Sequence, residues 1–158
     1  MEYQILSTAK KKEIMSKLKH GDLTEKIIGT FYEVYNELGF GFLESVYEEA
    51  LKMALEEKGF NVKQQVSIPV WFRGKQIGDF DADLIVNELV ILELKAVRKI
   101  VNKHEAQLLN YLRATKMEVG LLLNFGQSAE FKRLVFDNYR KKNQLNAKAM
   151  IANLLEED

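Results

Sequence analysis

The chain has 158 residues, a formal net charge of zero, 47% hydrophobic and 29% charged residues; this suits one globular domain and excludes disorder throughout. It has no cysteine, which excludes disulfides, thiolate metal sites and a Cys nucleophile, and which fits a reducing, cytoplasmic setting. No apolar run approaches a membrane span, the N-terminus lacks a signal-peptide core, and zero net charge argues against non-specific coating of nucleic acid.

In chain order, residues 1–21 read as a lysine-rich, loosely attached N-terminal extension. Asp22 and Glu25 have capping-box spacing, and Leu23, Ile27, Phe31, Val34, Tyr35 and Leu38 recur at helical period until Gly39 and Gly41 end the helix. A second helix is expected from about Leu43 to Lys58, stopped by Gly59. Three strands follow. Val62–Phe72 contains Pro69, the mark of an edge or bulge. After the Arg73-Gly74-Lys75 turn, Gln76–Val86 alternates, with Phe80, Ala82, Leu84 and Val86 on one face and Asp79, Asp81, Asp83 and Ile85 on the other. Leu89–Val97 is apolar except for Glu93 and Lys95. A helix over Asn102–Thr115, a buried strand over Glu118–Phe125, a core helix over Glu130–Lys142 and an amphipathic tail complete the chain. The expected fold is α/β: a mixed four-stranded sheet, a three-strand meander plus a crossover strand, flanked by helices. The domain spans 22–143, with a helical tail over 144–158.

Charge is unevenly spread. Nine acids and two bases lie between Asp22 and Glu57, against six bases and one acid between Lys95 and Lys116. Basic residues Arg98, Lys99, Lys103 and Arg113 are candidates for gripping a phosphate backbone, although solvated helix faces give the same pattern.

Glu93 and Lys95 share a face of an otherwise apolar strand. A carboxylate and an ammonium there are costly unless paired or bound to a metal. An ordinary ion pair explains a lone E-x-K, but Asp79, Asp81 and Asp83 on the preceding strand call for a cation. A hairpin register centred on Glu88 sets Asp83 opposite Glu93 and Asp81 opposite Lys95. Two such carboxylates suit Mg²⁺ or Mn²⁺. On the next helix Gln107 and Tyr111 share a face, which alone reads as an ordinary half-exposed surface.

Asp83, then Glu93-Leu94-Lys95, then Gln107 and Tyr111 resemble the RecB-like branch of the PD-(D/E)XK nuclease superfamily. Gly41-Phe42-Leu43-Glu44-Ser45-Val46-Tyr47 reads G-x-x-E-x-x-Y, and with Leu123-Asn124-Phe125-Gly126 the set is similar to the GxxExxY family. The resemblance covers roughly residues 22–140 and departs at Ala82, where the pattern has proline. It implies the αβββαβ core of restriction endonucleases and metal-dependent hydrolysis of phosphodiesters, DNA being the expected substrate. Asp83, Glu93 and the Leu94 carbonyl would hold Mg or Mn, with Glu44 completing or supporting that site. Lys95 would orient the attacking water, and Gln107 and Tyr111 would brace the site or place the substrate. Tyr47 falls on an apolar stripe and reads as core. The alternatives are a non-catalytic nucleic-acid-binding or regulatory protein on the same fold, and an interaction module that self-associates as a homodimer or binds a partner protein.

Overall fold

The computed structural model describes residues 7–141. Along them run α1 (Thr8–Lys17), α2 (Gly21–Leu38), α3 (Glu44–Glu57), β1 (Val62–Phe72), β2 (Lys75–Val86), β3 (Val90–Lys95), α4 (Asn102–Arg113), β4 (Val119–Phe125), β5 (Ala129–Val135) and a 3₁₀ turn at Asn138–Arg140. The strands form one sheet in chain order, β1 to β5. Neighbours are antiparallel except β3 and β4, which run parallel. A parallel pair needs a crossover, and α4 supplies it.

Strand parity divides the interior in two. Val90, Leu92 and Leu94 of β3, with Val119, Leu121, Leu123 and Phe125 of β4, pack against Ile27, Phe31, Tyr47, Leu51 and Leu55 of α2 and α3. Ile91 and Leu122 face the other way, toward Leu108, Tyr111 and Leu112 of α4. The two central strands are therefore apolar on both faces, and any polar group on them stands out. Against Gly120, α4 comes so close that an added Cβ would lie 2.8 Å from the Leu108 side chain.

The ends of α2 differ from expectation on one side only. The helix begins at Gly21 behind His20, a left-handed cap with φ 52°, and Asp22 sits in the first turn, so the Asp22–Glu25 capping box does not form. Gly39, at φ 70°, closes the helix as its composition predicts. β1 is an edge strand and irregular near its proline, with a register shift between Val70 and Trp71.

The larger correction concerns Glu130–Lys142. Its first half is β5, antiparallel to β4 from Phe125↔Ala129 to Val119↔Val135, and its second half contains the 3₁₀ turn. The sheet therefore has five strands, not four. Without β5, the buried strand β4 would leave a row of backbone groups unpaired, and satisfying them outweighs a weak helical pattern. The segment before α2 is tied to this end of the sheet. Lys19 Nζ lies 3.0 Å from Glu118 Oε2, and the Arg133 guanidinium donates to the Lys19 carbonyl. The expected amphipathic tail over 146–155 lies outside the described residues. Among the described residues, no helix is long and apolar enough to cross a membrane.

Candidate active site

β2 and β3 pair only through Leu84↔Leu92, Ile85↔Ile91 and Val86↔Val90, a register centred on Glu88. Asn87 and Glu88, both left-handed at φ 52° and 56°, make the turn. Beyond Leu84 the strands part, and β2 continues as a long hairpin with β1 alone. Asp81 consequently pairs with Ser67 of β1, and the expected Asp81–Lys95 juxtaposition is not formed.

Asp83 and Glu93 stand at this fork, where their side chains replace ladder bonds. The Asp83 N–H donates to Glu93 Oε1 at 3.2 Å, and the Leu94 N–H donates to Asp83 Oδ2 at 2.8 Å. Strand parity changes at the same place. Leu84 faces the α2/α3 core, yet Ala82 packs with Ile85 on the α4 side. Regular alternation would put Ala82 with Leu84, so β2 twists at Asp83 and turns its carboxylate into the fork.

Asp83 is also held from β1. Gln65 Nε2 lies 3.3 Å from Asp83 Oδ1 and 2.6 Å from Glu48 Oε1. Gln64 Nε2 donates to the other oxygen of Glu48 at 2.8 Å. Gln65 reaches this bridge from a left-handed backbone, φ 50°, in mid-strand. Such a conformation is costly for a residue with a side chain and persists only where its surroundings enforce it. Glu48 is buried, although its helix reads as an acidic solvent face, and burial raises its pKa despite the two glutamine amides.

Glu93 is only 4% exposed. Burial, and then the Asp83 carboxylate, push its pKa up to about 8; the Asp83 N–H and Lys95 oppose the rise, and Glu44 adds to it. A buried carboxylate facing a second one, with an ammonium on the same strand, is an arrangement that a hard cation would relieve. Mg²⁺ commonly takes only one or two protein carboxylates with water and phosphate oxygens, so Asp83, Glu93 and the Leu94 carbonyl fit such an ion. Glu44, exposed in the first turn of α3, is within electrostatic reach of Glu93. It is not brought in as a third close ligand: among the described residues no three His, Asp or Glu side chains gather into a metal cage.

Lys95 Nζ donates to Gln107 Oε1 at 3.3 Å, and Gln107 Nε2 donates to the Tyr111 hydroxyl at 2.9 Å. The two residues that read as an ordinary half-exposed surface therefore form a chain running into the fork. Tyr111 is buried, its ring lies 5.1 Å from Phe80, and its pKa is raised by burial and then by Glu93.

Asn124, wholly buried on β4 and opposite Lys95 in the parallel ladder, holds the loop that leaves β3. Its Oδ1 accepts from the Val97 N–H at 3.0 Å, and its Nδ2 donates to the Val97 carbonyl at 2.9 Å. Glu130 Oε1 accepts from the same Nδ2 and from the Ile100 N–H. A lone amide in an apolar strand was the available signal for this role; Glu48 and Gln65 carried none.

The basic residues do not form one group. Arg98, Lys99 and Lys103 are exposed around the β3 exit and the start of α4. Arg113 lies at the far end of α4 with its guanidinium over the Phe136 ring. Tyr47 is core: it stacks on Phe125, with centroids 4.3 Å apart.

The crystal structure of SSO0001 resembles this fold with a TM-score of 0.51 at 18% identity, over 72% of this chain and 59% of that one. The chain thus spans less than two thirds of that protein. No curated protein matches the sequence significantly. The profile of the PD-(D/E)XK nuclease superfamily matches residues 21–134, from the first residue of α2 to the penultimate residue of β5, and so takes in the fork, the E-x-K strand and α4. The chain belongs to the PD-(D/E)XK nuclease superfamily.

Proposed function

We propose that this protein is a metal-dependent nuclease acting on DNA, with its reacting centre at the β2/β3 fork. The observation that carries the reading is the pairing of Asp83 with buried Glu93 beside Lys95, in a chain of this superfamily. Asp83, Glu93 and the Leu94 carbonyl are the residues to hold Mg or Mn, with Glu44 supporting them from the edge of the site. A divalent ion bound there supplies positive charge against the scissile phosphate and lowers the pKa of water. Lys95 then presents an ammonium to the attacking water and to the charge that develops on phosphorus-bound oxygens. Gln107, accepting from Lys95, fixes where that ammonium points, and Tyr111 fixes Gln107. Arg98, Lys99 and Lys103 suit the flanking phosphates, while Arg113, stacked on Phe136, suits them less. The motif order favours the GxxExxY family within the superfamily. The absence of cysteine is compatible with action in the cytoplasm.

The test is a cleavage panel on plasmid, single-stranded DNA and RNA with Mg²⁺ or Mn²⁺, alongside Glu93→Ala and Lys95→Ala. Metal-dependent cleavage lost in both variants is expected. Metal binding by the wild type with no cleavage of any substrate would instead favour a non-catalytic nucleic-acid-binding protein.

A further inference from the structure

Past the ends of β3 and β4 lies a pocket of about 290 Å³, lined by Phe40, Phe42, Phe125, Arg98, Gly126 and Gln127 among others, none of them acidic. It opens where the parallel strands β3 and β4 end, the side on which α/β sheets commonly bind ligands. Arg98 follows Lys95 by three residues, roughly 10 Å of extended chain at most, and Phe42 precedes Glu44 by two. Glu44 in turn is within electrostatic reach of Glu93, which links this rim to the reacting centre.

Both walls are fixed in place. On one, the Tyr47 hydroxyl donates to the Gly39 carbonyl at 2.6 Å and accepts from the Phe42 N–H at 3.2 Å. That loop turns through Gly39 and Gly41 at φ 70° and 110°, backbone that side chains disfavour. On the other, the Tyr35 hydroxyl lies 2.7 Å from the carbonyl oxygens of both Gly126 and Gln127. Gly126 passes so close to the segment leaving β3 that an added Cβ would lie 2.3 Å from the Val97 carbonyl oxygen. Yet the rings carried by the first wall are left bare, Phe40 at 60% and Phe42 at 49% exposure. Rigid backbone presenting exposed aromatic rings, with an exposed guanidinium beside them, is the chemistry of base stacking combined with phosphate neutralisation. The volume lies at the lower limit of ligand pockets, roughly 300 Å³ upward, and suits one flat ring.

We infer that this pocket receives a single unstacked nucleobase next to the scissile phosphate, so that the enzyme prefers single-stranded or branched DNA over continuous duplex. The inference rests on the nuclease reading and names its substrate class. Phe40 is mostly exposed, so replacing it leaves the core filled; a thermal melt verifies this.

The experiment measures binding, with Ca²⁺ in place of Mg²⁺, of an oligonucleotide carrying 2-aminopurine, as a single strand and within a blunt duplex. Wild type is expected to bind the single strand more tightly and to quench the probe by stacking. Phe40→Ala is expected to lose about ten-fold in single-strand affinity and most of the quenching, with duplex binding unchanged and Phe40→Trp restoring both. Equal wild-type affinity for the two forms, or an equal loss on both in Phe40→Ala, would overturn the pocket while leaving metal-dependent cleavage standing. Wild type that neither binds nor cleaves any nucleic acid would overturn the nuclease reading and the pocket together.

Discussion

Glu93 combines burial with a carboxylate neighbour, and its pKa of about 8 gives the metal-free protein a defined pH response. A carboxylate whose folded pKa exceeds its unfolded value of 4.5 binds more protons when folded. Its contribution to stability is therefore full below the unfolded pKa and is lost as pH rises through the folded one. In EDTA, the melting temperature should fall from about pH 5 to pH 8, and Glu93→Gln should flatten that slope; parallel wild-type and variant profiles would refute the assignment. Gln65 is the second informative residue, because its strain and its bridge separate. Gln65→Gly accommodates the left-handed backbone but removes the amide between Glu48 and Asp83. The expected result is Mn²⁺ affinity several-fold weaker in calorimetric titration, with relief of backbone strain offsetting part of the stability lost when buried Glu48 loses its Gln65 partner. An unchanged affinity would leave the bridge a role in folding only.

At the scale of elements, the geometry of β3 depends on what leaves it. Asn124 ties Val97 through both backbone groups, and Glu130 ties Ile100, so the loop carrying Arg98 and Lys99 is anchored to β4 and β5. Asn124→Ala strips partners from both backbone groups of Val97, at a cost of about 1–3 kcal/mol per group that stays buried. Chemical denaturation should show that loss. Cleavage should fall further than stability does at a temperature where the variant is still folded. Full activity in the folded variant would mean that the loop needs no anchor from β4. The fork works similarly: three residue pairs hold β2 to β3, and side chains then substitute for the ladder.

For the whole molecule, a ligand that binds only the folded state raises its stability, by about 2.7 kcal/mol at a hundred times its dissociation constant. Mn²⁺ should therefore raise the melting temperature of the wild type. Asp83→Asn keeps the shape of the side chain and an acceptor for the Leu94 N–H, while removing the negative charge that opposes ionisation of Glu93. The variant should melt at or above the wild-type temperature in EDTA, respond much less to Mn²⁺, and not cleave. An equal response to Mn²⁺ in both proteins would place the ion elsewhere.

Much of this was legible in the primary structure because it rests on local periodicity. Glycine stops, the helical stripes of α2 and α3, and the turn centred on Glu88 depend on near neighbours along the chain. They suffice to set Asp83 opposite Glu93 and to put Gln107 and Tyr111 on one face. The remainder depended on partners distant in the chain. β5 is a strand because β4 needs a neighbour, which outweighs the pattern of residues 130–142. Glu48 is buried because Gln64 and Gln65, more than fifteen residues away on β1, satisfy it. Tyr111 is buried because α4 packs on the sheet beneath the β1–β2 hairpin, and Asp81 misses Lys95 because β2 twists away at Asp83. Short-range order follows from backbone and side-chain preferences within a few residues. Which polar groups are buried, and what satisfies them, is decided only when the strands and helices meet.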